Sequence, residues 1–116
     1  MILHENDYRV DVREKMMGGE GRFVVQNILL PEQMHGKGRL FARGTLAPGH
    51  SVGYHVHSGD MEVCYFLSGT GIVTDQDGNK TAVCAGDCNI VETGEGHEIV
   101  NTGNTELVYI ALILYT

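Results

Sequence analysis

Long apolar runs and basic residues are both scarce in this chain. The longest apolar run, Leu107 to Tyr115, is far shorter than the roughly 20 residues that a membrane-spanning helix requires. The 8 lysines and arginines stand against 15 aspartates and glutamates, which gives a net charge of −7. Such an acidic balance argues against nucleic acids and anionic membranes as partners, and we expect neither.

Cysteines are also few: Cys64, Cys84 and Cys88 are an odd number, without a C-x-x-C pair. This pattern is not a disulfide framework, and it favours free thiols in a reducing compartment. The apolar residues 1–3 run directly into the polar residues 4–7, unlike a secretory leader. We therefore expect a cytoplasmic protein.

Glycine, in contrast, is abundant, with 16 residues that mark frequent turns. Between these turns lie short strand-like segments at intervals of about ten residues, and helical periodicity is absent. The segments are Phe23–Leu30, Arg39–Leu46, Ser51–His57, Glu62–Leu67, Gly71–Thr74, Lys80–Val83, Cys88–Glu92, His97–Asn101 and Leu107–Tyr115. This rhythm predicts an all-β sandwich or barrel.

The chain length suits one domain, which we divide into an N-terminal part, residues 1–38, and a barrel, residues 39–116. Residues 4–21 are polar and glycine-rich, and we interpret them as an arm or loop. The last strand, Leu107–Tyr115, is apolar on both faces. We expect the barrel interior to cover one face and a partner subunit to cover the other.

Three histidines and one glutamate form the main candidate site. His55 and His57 are two residues apart on a predicted strand, so their imidazoles share a face. Glu62 follows after a short turn, and His97 begins a later strand. This ligand set suits one divalent transition metal, Mn, Fe, Ni, Co or Zn. On an octahedral ion it leaves positions open for water, oxygen or a substrate.

An isolated H-x-H is weak evidence, because exposed histidines are common, but here two spaced frames surround the ligands. The first frame reads G-x5-H-x-H-x4-E-x6-G, at Gly49, His55, His57, Glu62 and Gly69. The second reads G-x5-E-x-G-x2-H-x3-N, at Gly86, Glu92, Gly94, His97 and Asn101.

Both frames resemble the two sequence motifs of the cupin superfamily, with Glu92 in the place of the usual proline. The resemblance implies a jelly-roll barrel, also called a double-stranded β-helix, with His55, His57, Glu62 and His97 as metal ligands. It further implies a homodimer in which an N-terminal strand, here residues 22–30, crosses to the partner. Residues 39–43 followed by Pro48-Gly49 look like small bacterial cupins of the oxalate-decarboxylase-like kind.

Several other residues carry two interpretations each. Arg39 and Arg43 share one face of a predicted strand. They either bind a carboxylate inside the barrel or lie on its outer surface. We favour the outer surface, because the opposite face of the strand is apolar and should face the core. Cys64 is either a substrate contact or a small buried apolar residue, which we favour. Glu92 is either surface charge, which we favour, or a group behind the ligands. The remaining candidates are tyrosines, which we interpret mainly as core or interface residues: Tyr54, Tyr65, Tyr109 and Tyr115.

Two functions remain open at this point. The first is a metal-dependent enzyme acting on a small carboxylate or sugar-like substrate, by decarboxylation, isomerisation, lyase or dioxygenase chemistry. The second is a binding or sensing module that holds a metal and a small ligand without turnover. The fold does not choose between them.

Overall fold

The computed structural model describes residues 1–116 and consists of short strands and three single-turn 3-10 helices. The strands are β1 Arg9–Glu14, β2 Arg22–Leu29, β3 Gly38–Leu46, β4 Ser51–Val56, β5 Asp60–Ser68, β6 Thr70–Asp75, β7 Lys80–Cys84, β8 Cys88–Val91, β9 Gly96–Asn101 and β10 Leu107–Tyr115. The 3-10 helices are Glu5–Asp7, Met16–Gly18 and Pro31–Met34. None of these helices has the length or the apolar character needed to cross a membrane.

Two antiparallel sheets form the barrel. One sheet has six strands in the order β1-β2-β3-β10-β5-β8, and the other has four in the order β4-β9-β6-β7. The core lies between them and draws on both, with Phe66 and Tyr109 from the larger sheet and Ile99 from the smaller one. The predicted all-β jelly-roll barrel is confirmed.

The strand boundaries follow the sequence pattern closely from residue 22 onward. Strand β10 keeps its predicted bounds, and strand β5 begins at Asp60, two residues before the predicted start. The predicted hairpin joins β6 to β7, where Asp75 Oδ1 accepts the backbone N–H groups of Asp77, at 2.9 Å, and Asn79, at 3.0 Å. Gly78 completes this turn with φ of +80°, a conformation that favours glycine.

Strand β10 lies at the centre of the larger sheet, between β3 and β5. Its inward residues, among them Tyr109 and Ala111, are buried, as the apolar sequence predicted. Its outward residues Ile110 and Leu112 are partly exposed within one chain. The cover of this outer face by a partner subunit stays a prediction.

The interpretation of residues 4–21 as an arm or loop was wrong, because the segment contains strand β1, which pairs with β2 over its whole length. Its alternation runs against expectation: Val10 and Val12 are about half exposed, whereas Asp11 and Arg13 lie on the more buried side. Strand β2 in turn pairs with β3 of the same chain. The crossing of residues 22–30 to a partner stays a prediction.

The turn after β1 is bound tightly to the barrel. The Lys15 amide donates to the Gly21 carbonyl at 2.8 Å, and the Glu20 amide donates to Ser51 Oγ at 2.8 Å. Gly19 lies so close to β4 that a Cβ atom there would stand 2.4 Å from the Ser51 carbonyl oxygen. As a result Met16 and Met17 are held at the mouth of the barrel.

Candidate metal centre

The four predicted ligands come from both sheets and meet inside the barrel. His55 on β4 is paired with His97 on β9, so their side chains lie side by side in the smaller sheet. His57 follows β4 directly, and Glu62 projects inward from β5 of the larger sheet. The site therefore lies between the sheets, where the fold keeps its members in place from opposite sides.

The ligand atoms converge closely: all four lie within 4.8 Å of one another. Nε2 of His97 is 3.1 Å from Nε2 of His55 and 2.9 Å from Oε1 of Glu62. Nε2 of His57 is 3.3 Å from the same Glu62 oxygen. His57, His97 and Glu62 are only 2%, 1% and 7% exposed, so these polar atoms have little access to solvent.

Each imidazole is oriented by a hydrogen bond from its other nitrogen. Nδ1–H of His55 donates to the Gly53 carbonyl at 2.8 Å. Nδ1–H of His57 donates to Asp60 Oδ1 at 2.8 Å. His97 donates from Nδ1 to Asn89 Oδ1 at 2.7 Å. These bonds fix the tautomers and leave all three Nε2 lone pairs facing the centre, as in metal-binding histidines.

Asp60 links His57 to the positively charged side chain of Arg39. Its second oxygen, Oδ2, accepts from Arg39 Nε at 2.8 Å. Burial opposes ionisation of Asp60, but the hydrogen bonds from Arg39 and His57 outweigh it and lower its pKa. His57 is therefore held by a carboxylate that stays charged.

The electrostatics of the four groups favour a cation among them. Burial raises the pKa of Glu62, but the imidazoles of His57 and His97 beside its carboxyl group outweigh burial and lower the pKa to about 2, so the group is a carboxylate. Burial lowers the pKa of His55, which keeps that imidazole neutral. The Glu62 carboxylate beside Nε2 raises the pKa of His57, because the anion stabilises the protonated imidazole, and Asp60 adds to this effect.

The donor set fits one metal ion on this evidence. His57 Nε2 is fully buried and makes no well-aligned hydrogen bond in the chain, which is costly for a polar nitrogen. Three imidazole nitrogens and one carboxylate oxygen, all directed inward, match the ligands that transition metals prefer. The buried cluster can therefore hold one ion.

A cavity of about 90 Å³ opens beside the four ligands. Most of its wall is apolar, from the core of both sheets and from the turn after β1. Its other lining residues are Arg13, Met16, Met17, Phe23, Arg39, Leu40, Val52, Ile99, Tyr109 and Ile113. At roughly 30 Å³ per water in the liquid, the space holds about three waters, which suits only a small ligand.

The structure separates the two arginines that the sequence grouped together. Both side chains leave the outer side of β3, as predicted, and Arg43 lies on the outer surface, away from the ligands. Arg39, at the end of the strand, contributes to the cavity wall, but its guanidinium is bound to Asp60.

The other candidates take mostly structural positions. Cys64 lies in the core as a small buried residue, and burial raises its thiol pKa well above the ordinary value. Glu92 is exposed, and its backbone N–H, which proline lacks, donates to Glu95 Oε1 at 2.9 Å. Tyr54, Tyr65 and Tyr115 are exposed. Cys84 and Cys88 are free and exposed.

Tyr109 is the one tyrosine that reaches the site. It is 2% exposed, lines the cavity, and has its ring centroid 5.7 Å from that of Phe23 and 5.3 Å from that of Phe66. Burial raises its pKa well above the ordinary value of 10.0, so the phenol stays protonated. Its hydroxyl is therefore a hydrogen-bond donor towards whatever enters the cavity.

The sequence interpretation missed three residues that matter here: Arg13, Asp60 and Asn89. Asp60 shares a strand face with Glu62, and an earlier start of that strand would have found it. Asn89 stands two residues before buried Val91, so it is an inward polar residue on a short strand. Arg13 could not be predicted in this way, because the apolar residues of its strand face outward and Arg13 lies on the more buried side.

Comparison with known proteins places this architecture in a family. The sequence model of the Cupin domain matches residues 42–113. A Thermotoga maritima relative described as an oxalate-binding protein is 40% identical over 114 residues, which cover 98% of this chain and 93% of the relative. The crystal structure of a predicted oxalate decarboxylase from Thermotoga maritima matches with a TM-score of 0.94 at 40% identity, covering 100% of both chains.

A more distant likeness extends to the fold alone. A polyketide cyclase of Streptomyces resistomycificus matches with a TM-score of 0.78 at 16% identity, over 99% of this chain and 78% of the cyclase. The family match spans more than half of the chain, and the Thermotoga relative is covered almost from end to end. The chain belongs to the cupin family.

Proposed function

We propose that this protein holds one divalent transition metal through His55, His57, Glu62 and His97 and uses it to bind a small carboxylate anion. The observation that carries the proposal is the convergence of three oriented Nε2 atoms and one carboxylate within 4.8 Å, beside a cavity. Mn, Fe, Ni, Co and Zn all suit this ligand set.

The size of the cavity and the relatives support a carboxylate rather than a sugar as ligand. A sugar has many hydroxyl groups that need partners, whereas most of the cavity wall is apolar. The Thermotoga relative is described as oxalate-binding, and oxalate, with six heavy atoms, suits the available space. Oxalate is therefore the first ligand to test.

An ion held by His55, His57, Glu62 and His97 would supply a Lewis-acidic centre that attracts an anion. The chain's own residues do the rest: Gly53, Asp60 and Asn89 keep the imidazoles aimed inward. The apolar walls exclude water from the ligand, which strengthens electrostatic attraction at the site.

Catalytic turnover, the first hypothesis from the sequence, has less support than binding. Proton transfer at the ligand requires an acid or base within reach, and no carboxylate besides Glu62 lines the cavity. Tyr109 is the remaining proton donor there, and its pKa is raised far above neutrality by burial. A metal-dependent reaction, by decarboxylation, isomerisation, lyase or dioxygenase chemistry, stays a prediction.

Metal content tests the proposal directly. Tag-free protein should contain about one metal ion per chain by elemental analysis, and His55→Ala and His97→Ala should lose it. His35→Ala is the matched control, since His35 is exposed and outside the cluster, and it should keep the ion. Equal and negligible metal in all four proteins would contradict the ligand assignment.

Oxalate binding and turnover are then measured on the metal-loaded protein. We expect calorimetric titration to show saturable binding of oxalate that disappears when a chelator removes the ion. Release of formate and carbon dioxide at a rate above that of free metal would favour the enzyme over the binding protein.

A further inference from the structure

Arg13 is a cationic side chain in the cavity that has no partner within the chain. It lies on the inner side of β1, opposite Phe23 of β2, and lines the same cavity as the four metal-site residues. No ion pair or hydrogen bond engages its guanidinium, whereas the other arginine of the cavity wall, Arg39, is bound to Asp60. An unpaired guanidinium beside a buried site is a ready anion contact.

The fold fixes the place of Arg13. Strand β1 is paired with β2 along its length, so Arg13 cannot turn outward without breaking the register. The following turn is tied to β4 by two hydrogen bonds between Glu20 and Ser51, of 2.8 and 2.9 Å. The backbone on both sides of Arg13 is therefore held in place, by strand pairing before it and by the bound turn after it.

Tyr109 adds a second unpartnered donor to the same cavity. Its ring is fixed between Phe23 and Phe66, and its hydroxyl makes no hydrogen bond within the chain. A buried tyrosine hydroxyl normally has a partner, so this one is available to a ligand. Since Phe23 contacts Tyr109 and is paired with Arg13, the two donors belong to one side of the cavity.

The charges of the site match an anion that carries two negative charges. A divalent ion and the Glu62 carboxylate leave one positive charge, and Arg13 contributes another. The other charged residue of the wall, Arg39, is already bound to Asp60. The side chains of Leu40, Val52 and Ile99 form no hydrogen bonds. A monocarboxylate would leave the Arg13 charge without a counterion.

We propose that Arg13 and Tyr109 bind the carboxylate oxygens that the metal ion does not, and so make the site selective for small dicarboxylates. This inference rests on the proposed function, because it assumes an anion at the metal. It assigns the selectivity to a strand outside the motifs that supply the metal ligands.

Oxalate and oxamate are the probes, because they have the same shape but oxamate carries one carboxylate and one neutral amide. Calorimetric titration of cobalt-loaded protein should show tighter binding of oxalate, and the visible absorption of cobalt reports occupancy independently. Arg13→Gln should weaken oxalate about 10- to 100-fold, as expected for a lost charge-assisted bond, and should leave oxamate nearly unchanged.

Three further variants complete the test. Arg13→Lys keeps the charge but not the forked geometry, and should bind oxalate with intermediate affinity. Tyr109→Phe keeps the ring and should weaken oxalate about 2- to 10-fold. Lys80→Gln removes a positive charge from the exposed edge strand β7, away from the cavity, and should change nothing. Every variant should retain the metal content of the parent.

The outcomes separate the two proposals. If the parent protein binds metal and oxalate but Arg13→Gln shows the same ratio of oxalate to oxamate affinity, the selectivity assignment is overturned and the proposed function stands. If the metal-loaded parent binds neither anion, the proposed function fails and the selectivity assignment fails with it.

Discussion

At the scale of single residues, the three imidazoles owe their usefulness to the groups behind them. Asp60 and Asn89 accept from the Nδ1 atoms of His57 and His97 and so determine which nitrogen faces the centre. Without these acceptors an imidazole is free to rotate or to change tautomer. The geometry of the site therefore depends on two residues, Asp60 and Asn89, that are not themselves among the four proposed metal ligands.

Asp60→Ala is expected to lower the metal affinity about 10- to 100-fold, because His57 loses the carboxylate that orients it. A competition titration against a chelator of known affinity measures the change. Asp60→Asn keeps an acceptor of the same shape and should recover most of the affinity. Equal affinity in Asp60→Ala and the parent would show that His57 needs no such support.

The sequence predicted the residues of the site better than their surroundings. His55, His57, Glu62 and His97 meet because strand alternation and motif spacing are local properties. The pairing of His97 with Asn89, in contrast, joins two strands of different sheets, and no local pattern encodes that contact.

At the scale of elements, strand β1 and the turn after it shape the cavity. The pattern of β1 alternates, but its valines point outward and its charged residues inward, the reverse of an ordinary amphipathic strand. This reversal explains why the strand was interpreted as a loop. The barrel strands were predicted because their apolar sides face the core.

Gly19→Ala tests how this turn is held. A Cβ atom at Gly19 would stand 2.4 Å from the Ser51 carbonyl oxygen and 2.8 Å from the Gly53 amide nitrogen, both of them backbone atoms. We expect a loss of about 1–3 kcal/mol in the free energy of unfolding, measured in urea, since the turn must move away from β4. Trypsin should then cleave faster after Lys15.

Gly18→Asn is the matched control for that variant. Gly18 has φ of +78°, no other atom lies within 4 Å of the position that a Cβ atom would take there, and asparagine tolerates such a backbone. Its stability and cleavage rate should stay close to those of the parent. Equal cleavage of all three proteins would show that the contact with β4 does not hold the turn.

At the scale of the whole molecule, the outer side of the larger sheet is apolar across several strands. Tyr65 of β5 pairs with Ile110 of β10, and Leu112 of β10 pairs with both Val63 and Phe41. These outward side chains form a surface that one chain leaves uncovered, as the two-sided apolar pattern of β10 suggested. We propose that a second copy of the chain covers it in a symmetric homodimer.

Tyr65→Glu should convert the proposed dimer into a monomer, because a carboxylate there cannot be buried without a partner. Sedimentation velocity at micromolar concentration measures the change. Tyr54→Glu is the matched control, since Tyr54 has the same 46% exposure but lies on the smaller sheet. A parent protein that sediments only as a monomer would contradict the proposal.

The crowding of three lone pairs and a carboxylate within 4.8 Å has a thermodynamic consequence for folding itself. An ion that binds the native state and not the unfolded chain shifts the folding equilibrium by mass action, by about 2.7 kcal/mol when its free concentration is 100 times its dissociation constant. For the proposed ligand set, the fraction of chains that are folded is thus linked to the supply of metal. The folded fraction of the chain should then rise with the free concentration of the ion.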